Sequence, residues 1–409
     1  MTAAGGRSAI VVGGSLAGLL AAAVLSREGW TVRIFERVPE DLAGRGTGIA
    51  THQELFDAFA RAGVRVDDEI GFPLAGRVGF DREGRELCRY AYRQYLSSWG
   101  TLYRRLRAAV PAGAYEPGRE VADVVDGPRQ ALVSFRDGRQ LAADLVVGAD
   151  GIWSTVRAKL NPGAVPAYAG YVAWRGLIDE TALPEAIRNR HGSMQGFFAK
   201  RDEQFTMYPV SGADDSLAPG RRRFGFLWYR AVDEHRDLPE LLTDVDGARN
   251  RYSIAPTRIQ ARHIDRLRSA AGDVLPPDYA EIVCRTPSPF LQAIYDLVSD
   301  RIAFQRVALV GDAAFVARPH VGAGVLKAAL DVIALADALG ESDSIPRTLD
   351  AYEKVRIPPG TAMVERSRYL GAYLEGTKRA SSPVPVLPME EIIRESSRGL
   401  GLEPLARKL

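Results

Sequence analysis

Cysteine, histidine and net charge are scarce in this chain of 409 residues, and each scarcity excludes a kind of protein. The two cysteines, Cys88 and Cys284, lie far apart in sequence and form no Cys-x-x-Cys pair. That spacing argues against a disulfide scaffold, a zinc site and a dithiol reductase, and we predict no metal site. A formal net charge of +2 gives no reason to expect nucleic acid or a membrane surface as a partner.

Long apolar runs are also missing from the sequence. No segment reaches the roughly 18 apolar residues of a membrane-spanning helix, and the apolar stretch at residues 19–25 soon meets Arg27 and Glu28. The first residues lead directly into an apolar strand, so we expect no signal peptide. We expect a soluble cytoplasmic protein, long enough for two or three domains and a large core.

The most informative stretch is an apolar strand that ends in glycines and is followed at once by a helix. Residues 10–18 are Ile-Val-Val-Gly-Gly-Ser-Leu-Ala-Gly. This order is the context of the dinucleotide-binding fingerprint, in which Gly13 allows a tight turn and Gly18 lets helix and strand approach closely. Ser15 replaces the usual middle glycine and is still small. We assign a pyrophosphate-binding turn to Gly13, Gly14, Ser15, Leu16, Ala17 and Gly18, where free N–H groups begin the helix.

A carboxylate follows the second predicted strand. Glu36 comes directly after residues 31–35 and 18 residues beyond Gly18, close to the spacing of about 20 at which an acid binds ribose hydroxyls. An adenine dinucleotide with a free 2′-hydroxyl, FAD or NAD, fits this arrangement, and Arg37 is its neighbour. The competing interpretation is a buried βαβ unit whose glycines serve packing alone.

Two further strands end in a glycine and an acid. Residues 145–147 precede Gly-Ala-Asp-Gly at 148–151, and residues 307–310 precede Gly-Asp at 311–312. A Pro-His-Val-Gly-Ala-Gly segment at 319–324 then precedes a long predicted helix. Each motif alone is compatible with residues that merely shape turns. Their combination, in this order, favours one nucleotide site assembled from distant segments.

In combination these motifs resemble the FAD-dependent aromatic hydroxylases of the para-hydroxybenzoate hydroxylase class, over roughly residues 8–375. Within that class the chain is most similar to the dihydroxypyridine hydroxylases, through residues 12–15, 46–49, 168–176, 228–229 and 318–320. Three positions depart from relatives: Tyr103 where the family often has arginine, His52 where a pyridine hydroxylase has glutamine, and Phe315 where many relatives have histidine.

The predicted fold is α/β, with a Rossmann-type FAD-binding domain and an inserted, mostly antiparallel β-sheet substrate domain. We place the FAD-binding domain at residues 1–165 and 276–375, the substrate domain at 166–275 and a C-terminal arm at 376–409. The insertion is predicted from strands rich in aromatic residues at 171–178, 205–210 and 223–229. The arm, with a short helical pattern from Met389, is expected to be extended or to contact a second copy, without a chemical role.

The resemblance implies an enzyme that binds FAD, takes a hydride from NADH or NADPH as a transient co-substrate and uses molecular oxygen. It implies hydroxylation of a small electron-rich aromatic, expected to be a hydroxypyridine, through a flavin C4a-hydroperoxide. The helix that begins near Gly324 would stabilise the reduced flavin anion. A homodimer is one expected assembly.

The candidate site residues follow from the motifs and the resemblance. Besides the turn at residues 13–18, cofactor contacts are expected from Glu36, Arg37, Gly46, Thr47, Gly48, Tyr103, Val121, Asp150, Gly311, Asp312, Pro319, Gly322, Ala323, Gly324 and Val325. His52, His320 and Tyr208 are the catalytic candidates, because a base that deprotonates a ring hydroxyl would activate the ring. Substrate contacts are expected from His52, Tyr208, Trp228, Phe315, Pro319 and His320, a set able to wall a flat pocket.

Three other interpretations use the same cofactor domain. An FAD-dependent reductase or oxidase would act on a small molecule without inserting oxygen. A flavoprotein halogenase is disfavoured, because the sequence contains no Trp-x-Trp-x-Ile-Pro segment. A flavin-binding sensor would bind FAD without turnover, which the predicted aromatic pocket makes the weaker interpretation.

Overall fold

The fold is a computed structural model that describes residues 7–44, 46–376, 384–396 and 398. Residues 1–6 and Arg45 lie outside the described residues, as do residues 377–383, 397 and 399–409 of the predicted C-terminal arm. The strands are β1 (Ser8–Val12), β2 (Thr31–Phe35), β3 (Gly48–Ala50), β4 (Phe72–Phe80), β5 (Glu86–Ser98), β6 (Tyr115–Glu116), β7 (Val121–Asp126), β8 (Ala131–Phe135), β9 (Gln140–Ala143), β10 (Leu145–Gly148), β11 (Ala167–Asp179), β12 (Met194–Lys200), β13 (Glu203–Val210), β14 (Arg223–Ala231), β15 (Ser253–Ile254), β16 (Phe290–Asp296) and β17 (Val307–Leu309).

The helices are α1 (Leu16–Arg27), α2 (Gln53–Arg61), α3 (Trp99–Ala109), α4 (Thr155–Leu160), α5 (Glu185–His191), α6 (Leu238–Leu241), α7 (Ala261–Val274), α8 (Pro277–Arg285), α9 (Gly324–Glu341), α10 (Ile345–Gly371) and α11 (Met389–Glu395). None of these helices, within the described residues, combines the length and the apolar composition that a membrane span requires.

A parallel sheet of five strands has the order β17-β10-β1-β2-β6. Its central strands are apolar on both faces, since every residue of β10 is buried and Ser8 alone is partly exposed in β1. Strands covered on both sides by helices have this composition. Because the strands run parallel, the residues that follow them, among them Gly13, Glu36, Asp150 and Gly311, meet at one edge. The predicted Rossmann-type sheet is thereby confirmed.

A second, mixed sheet has nine strands in the order β15-β16-β11-β14-β13-β12-β4-β5-β3, antiparallel at every pairing except β12 with β4. The three predicted aromatic strands are its members β11, β13 and β14. The sheet also contains β3, β4, β5 and β16, which lie outside residues 166–275. The predicted limits of the substrate domain therefore do not coincide with the limits of the sheet, because hydrogen bonding along its edges recruits strands that are distant in sequence.

The two faces of the nine-stranded sheet have different surroundings, and β13 shows this most clearly. Phe205 and Met207 pack with Trp228 into a core that α7 and α8 help to build. Thr206 and Tyr208 point to the opposite face, as the two-residue period of a strand requires. That opposite face looks toward the carboxyl edge of the parallel sheet.

The C-terminal helix α11 lies on the same opposite face, over β4 and β5. Ile392 and Ile393 are buried there, and the Arg77 guanidinium donates to the carbonyl of Ile393 at 2.9 Å. The helical pattern predicted from Met389 is therefore present. In its described residues this segment packs against its own chain.

Candidate active site

A cavity of about 580 Å³ lies between the carboxyl edge of the parallel sheet and one face of the nine-stranded sheet. Its wall includes residues that follow β1, β2 and β10, and residues of β11, β12, β13 and β14. The volume falls in the range of about 300–1,000 Å³ that is usual for small-molecule sites. One cavity thus joins the two sheets.

Gly13 forms the part of the wall that follows β1. Its φ is +104°, and a Cβ at this position would lie 2.4 Å from the carbonyl oxygen of Ala149, so glycine is required. Helix α1 begins at Leu16, and its N-cap Ser15 makes no side-chain capping bond. The first amides of the helix are therefore available to an anion in the cavity, with the helix dipole behind them.

Glu36 is fixed by backbone amides at the end of β2. Its carboxylate accepts hydrogen bonds from the N–H of Gly14 at 2.8 Å and from the N–H of Val38 at 2.9 Å, and the residue is buried. Each carboxylate oxygen has a second lone pair. Glu36 can therefore also accept a hydrogen bond from a hydroxyl group in the cavity.

Asp312 presents a half-exposed carboxylate to the cavity. The fully buried ammonium group of Lys327 lies 3.6 Å from this carboxylate and 4.0 Å from that of Asp331. Asp331 in turn accepts from the N–H of Gly311 at 2.9 Å and from Arg356 at 2.8 Å. A buried network of charges thus fixes both residues of the Gly-Asp motif.

Helix α9 directs its amino terminus at the cavity. It begins at Gly324, after Gly322 in the left-handed conformation at φ +57°, and its N-cap Ala323 makes no side-chain capping bond. A Cβ at Gly324 would meet no atom within 4 Å, so this residue borders open space. As at α1, unpaired amides and the helix dipole favour a negative group.

His320 is a buried imidazole in the cavity wall. Its Nε2 shares a hydrogen bond of 2.8 Å with the hydroxyl of Tyr171, and its ring centroid lies 4.5 Å from that of Tyr229. Burial, and then the charge of Arg318, lower the pKa of His320 from 6.5 to about 3. Arg318 is held by two buried carboxylates. The ring of His320 is therefore neutral near pH 7.

The nine-stranded sheet lines the cavity with a mixture of polar and apolar side chains. Thr206 of β13 lies between Leu227 of β14 and Phe197 of β12. Gln204, two residues earlier, lies beside Tyr229, and the hydroxyl of Tyr373 donates to its amide oxygen at 2.8 Å. This wall is more polar than the aromatic face expected from the sequence.

Arg175 of β11 introduces a positive charge into the same wall, where it is the cross-strand partner of Leu227. Its guanidinium donates to Thr47 at 3.4 Å. Burial raises the pKa of Tyr208 and of Tyr229, and the positive charge of Arg175 opposes that rise in both. An anionic ring in the cavity would be stabilised by the same charge.

The structure brings most of the predicted site residues to the cavity. The wall contains Gly13, Ser15, Leu16, Ala17, Glu36, Arg37, Gly48, Val121, Asp150, Tyr208, Asp312, Pro319, His320, Gly322, Ala323, Gly324 and Val325. Asp150 also caps α4, because its carboxylate accepts from the N–H of Thr155 at 2.7 Å.

Six cofactor candidates and the substrate candidate Phe315 support the wall without being part of it. Gly18 packs against Gly13, Gly14 against Tyr115, Gly46 against Trp99, and Gly311 bonds to Asp331. Tyr103 stacks on Trp99 at 5.0 Å between ring centroids, and Phe315 packs against Gly360 of α10. Thr47, the sixth of them, reaches the site through its hydrogen bonds with Arg175 and Tyr208.

Besides Phe315, two substrate candidates, Trp228 and His52, do not face the cavity, which corrects the expectation. Trp228 lies on the opposite face of the sheet, where its indole N–H donates to Glu203 at 2.8 Å, and its neighbour Tyr229 takes the expected position. His52 is the N-cap of α2, and its Nε2 lies 3.4 Å from the side-chain nitrogen of Gln94. A shift of one residue in a strand exchanges the faces, and the sequence alone did not define that register.

Sequence reasoning missed the polar residues of the wall. Arg175, Gln195, Gln204, Thr206 and Tyr229 all line the cavity. The alternation in β13, with Gln204, Thr206 and Tyr208 at every second position, was the available signal. Ser396, at the end of α11, is a further wall residue that the predicted role of the arm did not include.

Comparison with known proteins places the chain among flavoproteins. A family model described as "FAD binding domain-like" matches residues 168–296, and one described as "NAD(P)-binding Rossmann-like domain" matches residues 11–68. The chain is 30% identical to 2,6-dihydroxypyridine 3-monooxygenase of Paenarthrobacter nicotinovorans, over 89% of this chain and 91% of that protein. The chain belongs to the FAD-dependent aromatic hydroxylases. The enzyme is therefore a flavin monooxygenase that uses FAD, NAD(P)H and molecular oxygen, and the reductase or oxidase alternative is not supported.

Two further relatives agree with this assignment. The enzyme is 30% identical to 3-amino-4-hydroxybenzoate 2-monooxygenase of Streptomyces cremeus, over 88% of this chain and 86% of that protein. The solved structure of 2,6-dihydroxypyridine-3-hydroxylase from Arthrobacter nicotinovorans superposes with a TM-score of 0.86 at 28% identity, covering 95% of this chain and 96% of that chain.

Proposed function

We propose that the enzyme hydroxylates a hydroxypyridine. The observation that carries the proposal is that one cavity has two kinds of wall. One wall is the dinucleotide cradle, formed by Gly13, the start of α1, Glu36, Asp312 and the start of α9, and the other is the polar face of the nine-stranded sheet. Relatives that cover most of the chain act on a dihydroxypyridine and on an aminohydroxybenzoate, as their names state. A small aromatic of this kind has the size and polarity that the sheet wall accommodates.

The cradle suits FAD on physical grounds. The open amides of α1 would bind the pyrophosphate, Glu36 the adenosine ribose and Asp312 the ribityl hydroxyls. The amino terminus of α9 would stabilise negative charge on the reduced ring system. When bound there, FAD would supply the acceptor for the nicotinamide hydride and the means to transfer one oxygen atom of O2 to the ring, with the other oxygen atom leaving as water.

His320 acts in this proposal as a neutral hydrogen-bonding group. A general base works best when its pKa lies near the operating pH, and a pKa of about 3 makes His320 a poor proton acceptor at pH 7. Its bond to Tyr171 and its packing on Tyr229 fix the ring where it closes the cavity. Pro319 and His320 together would keep water from the reacting ring.

Arg175 gives a second candidate substrate, a carboxylated phenol. Its guanidinium in the cavity wall could pair with an aryl carboxylate, as well as stabilise a ring oxyanion. The relative from Streptomyces cremeus acts on such a compound, as its name states.

Anaerobic reduction of the purified protein tests the proposal. NADH and NADPH are compared, each with and without 2,6-dihydroxypyridine or 3-amino-4-hydroxybenzoate. We expect the true substrate to accelerate flavin reduction and, after aeration with 18O2, to gain one labelled oxygen atom. Product that forms without oxygen, or acceleration by the benzoate alone, would contradict the hydroxypyridine assignment.

Assembly and location stay predictions. We propose a homodimer in the cytoplasm, as expected from the sequence. Sedimentation equilibrium of the purified enzyme tests the dimer, and a monomer across the micromolar range would refute it.

A further inference from the structure

Gln195 has a buried hydrogen-bonding atom that no group in the protein satisfies. The residue lies on β12 in the cavity wall and is 5% exposed. Its amide nitrogen donates to the hydroxyl of Thr206 at 3.2 Å. Its amide oxygen has no hydrogen-bond partner among the described residues. A buried acceptor without a donor is unfavourable by itself and indicates a missing partner.

Thr206 supplies the complementary group beside this oxygen. Its hydroxyl accepts the bond from Gln195, so its own proton remains available to an acceptor in the cavity. The pair therefore presents one acceptor and one donor side by side. If the side-chain amide of Gln195 is rotated by 180°, its nitrogen becomes the donor and the hydroxyl oxygen of Thr206 becomes the acceptor. The pair then still presents one donor and one acceptor.

The pair is buried and is held in place by its neighbours. Thr206 is 7% exposed and is flanked by Phe197 and Leu227. Ser396, which is 4% exposed at the end of α11, closes the cavity wall that the pair belongs to. In a buried site, a donor or acceptor that a ligand leaves unpaired loses its hydrogen bond to water without replacement. The pair should therefore discriminate strongly between ligands that satisfy both of its groups and ligands that do not.

We propose that Gln195 and Thr206 form a specificity subsite for a cyclic amide edge, an N–H beside a C=O. This inference rests on the proposed aromatic substrate and defines its class more narrowly. The lactam form of a 2-hydroxypyridine presents that edge, with one donor next to one acceptor. An aryl carboxylate presents two acceptors, which leaves the acceptor of the subsite unpaired. A phenol without ring nitrogen presents C–H in place of N–H, so its single hydroxyl must both donate to Gln195 and accept from Thr206, which is a poorer match to two groups side by side.

A comparison of 2,6-dihydroxypyridine with its carbocyclic isostere resorcinol tests the subsite. The dissociation constant of each compound is measured from the perturbation of the oxidised flavin spectrum, and kcat/KM from product formation. We expect the wild-type enzyme to bind the pyridine about tenfold or more tightly than resorcinol. In Gln195→Met this preference should fall to near unity, because the variant has no polar atom to pair with the N–H group.

Two further variants separate recognition from folding. Thr206→Val should also reduce the preference for 2,6-dihydroxypyridine over resorcinol. Thr206→Ser, which keeps the hydroxyl, should retain that preference. Gln140→Met, on exposed β9, is the matched control and should leave the preference unchanged. For each variant the constants for the two compounds are expressed as a ratio, and this ratio is compared with that of the wild type. The amount of folded enzyme cancels within each ratio, and the intrinsic reactivity of the compounds cancels in the comparison.

The outcomes distinguish the two proposals. A wild-type preference that persists in flavin-loaded Gln195→Met and Thr206→Val would overturn the subsite. Preferential binding of the pyridine without hydroxylation would refute the proposed function and leave the subsite in place. Equal binding of both compounds by the wild-type enzyme would refute the subsite directly.

Discussion

The two ends of the cavity are built in different ways. The cofactor end consists largely of backbone: glycines at 13, 322 and 324, and the first amides of α1 and α9. The proposed substrate end consists of side chains such as Arg175, Gln195 and Thr206, which the register of the sheet brings together. Gly13 tolerates no added Cβ, whereas the side chains at the other end can be altered one group at a time without unfolding.

Gly13→Ala tests the backbone end and should have the largest effect. The new Cβ would lie 2.4 Å from the carbonyl oxygen of Ala149, at a φ of +104°. We expect a loss of about 3 kcal/mol or more in the free energy of unfolding and little bound flavin. Denaturant unfolding and the ratio of flavin to protein measure both. Gly113→Ala, at φ +78° with no atom within 4 Å, is the control for backbone strain alone; an equal loss there would refute the steric argument.

Asp312→Ala tests a side chain of the proposed cofactor end. We expect FAD to bind about 10–100-fold more weakly, because the variant loses the carboxylate that we propose to accept from the ribityl hydroxyls. Titration of the apoenzyme by flavin fluorescence gives the dissociation constant. Asp343→Ala removes an exposed carboxylate paired with Arg7 and should not change it. Unchanged affinity in Asp312→Ala would remove this residue from the cofactor site.

Trp228→Phe and Tyr229→Phe test the register of the substrate end. Trp228→Phe removes the bond from the indole to buried Glu203, so it should cost about 1–3 kcal/mol in stability with no change in KM. Tyr229→Phe should change the KM for the aromatic by about threefold or more and leave stability within about 1 kcal/mol. Equilibrium unfolding and steady-state kinetics of both variants are compared. The reverse pattern would mean that the faces of β14 are exchanged.

The smallest effect is expected from the protonation of His320. Its pKa is about 3 in the folded protein and ordinarily 6.5, so below pH 6.5 the unfolded chain takes up a proton that the folded protein does not. The stability that His320 contributes is therefore complete above pH 6.5 and is lost as the pH falls toward 3, by about 1–2 kcal/mol at pH 5. Thermal unfolding of His320→Asn should depend less on pH over this range. Exposed His235→Asn is the control, and parallel curves for His320→Asn and the wild type would contradict the prediction.

Sequence reasoning succeeded where local chemistry decides. The strand, glycine turn and helix at residues 8–27 form a unit whose parts are neighbours in the chain, so the pattern predicts its geometry. The same holds for the Gly-Asp motif at residues 311–312 and for the start of α9. Lys327, which lies beneath Asp312, was missed because a lysine in a helical pattern is usually a solvated residue.

The amino-acid sequence by itself determined that this chain builds a dinucleotide cradle, because glycine spacing and apolar strands act over a few neighbouring residues. Tertiary structure alone decided which residues form the substrate end. The register of β11 to β14 places Tyr229, and not Trp228, in the cavity wall. The packing of α11 brings Ser396, from the far end of the chain, into the same cavity wall as Gln195 and Thr206. Burial likewise makes His320 a neutral group, since a pKa depends on surroundings that distant segments supply.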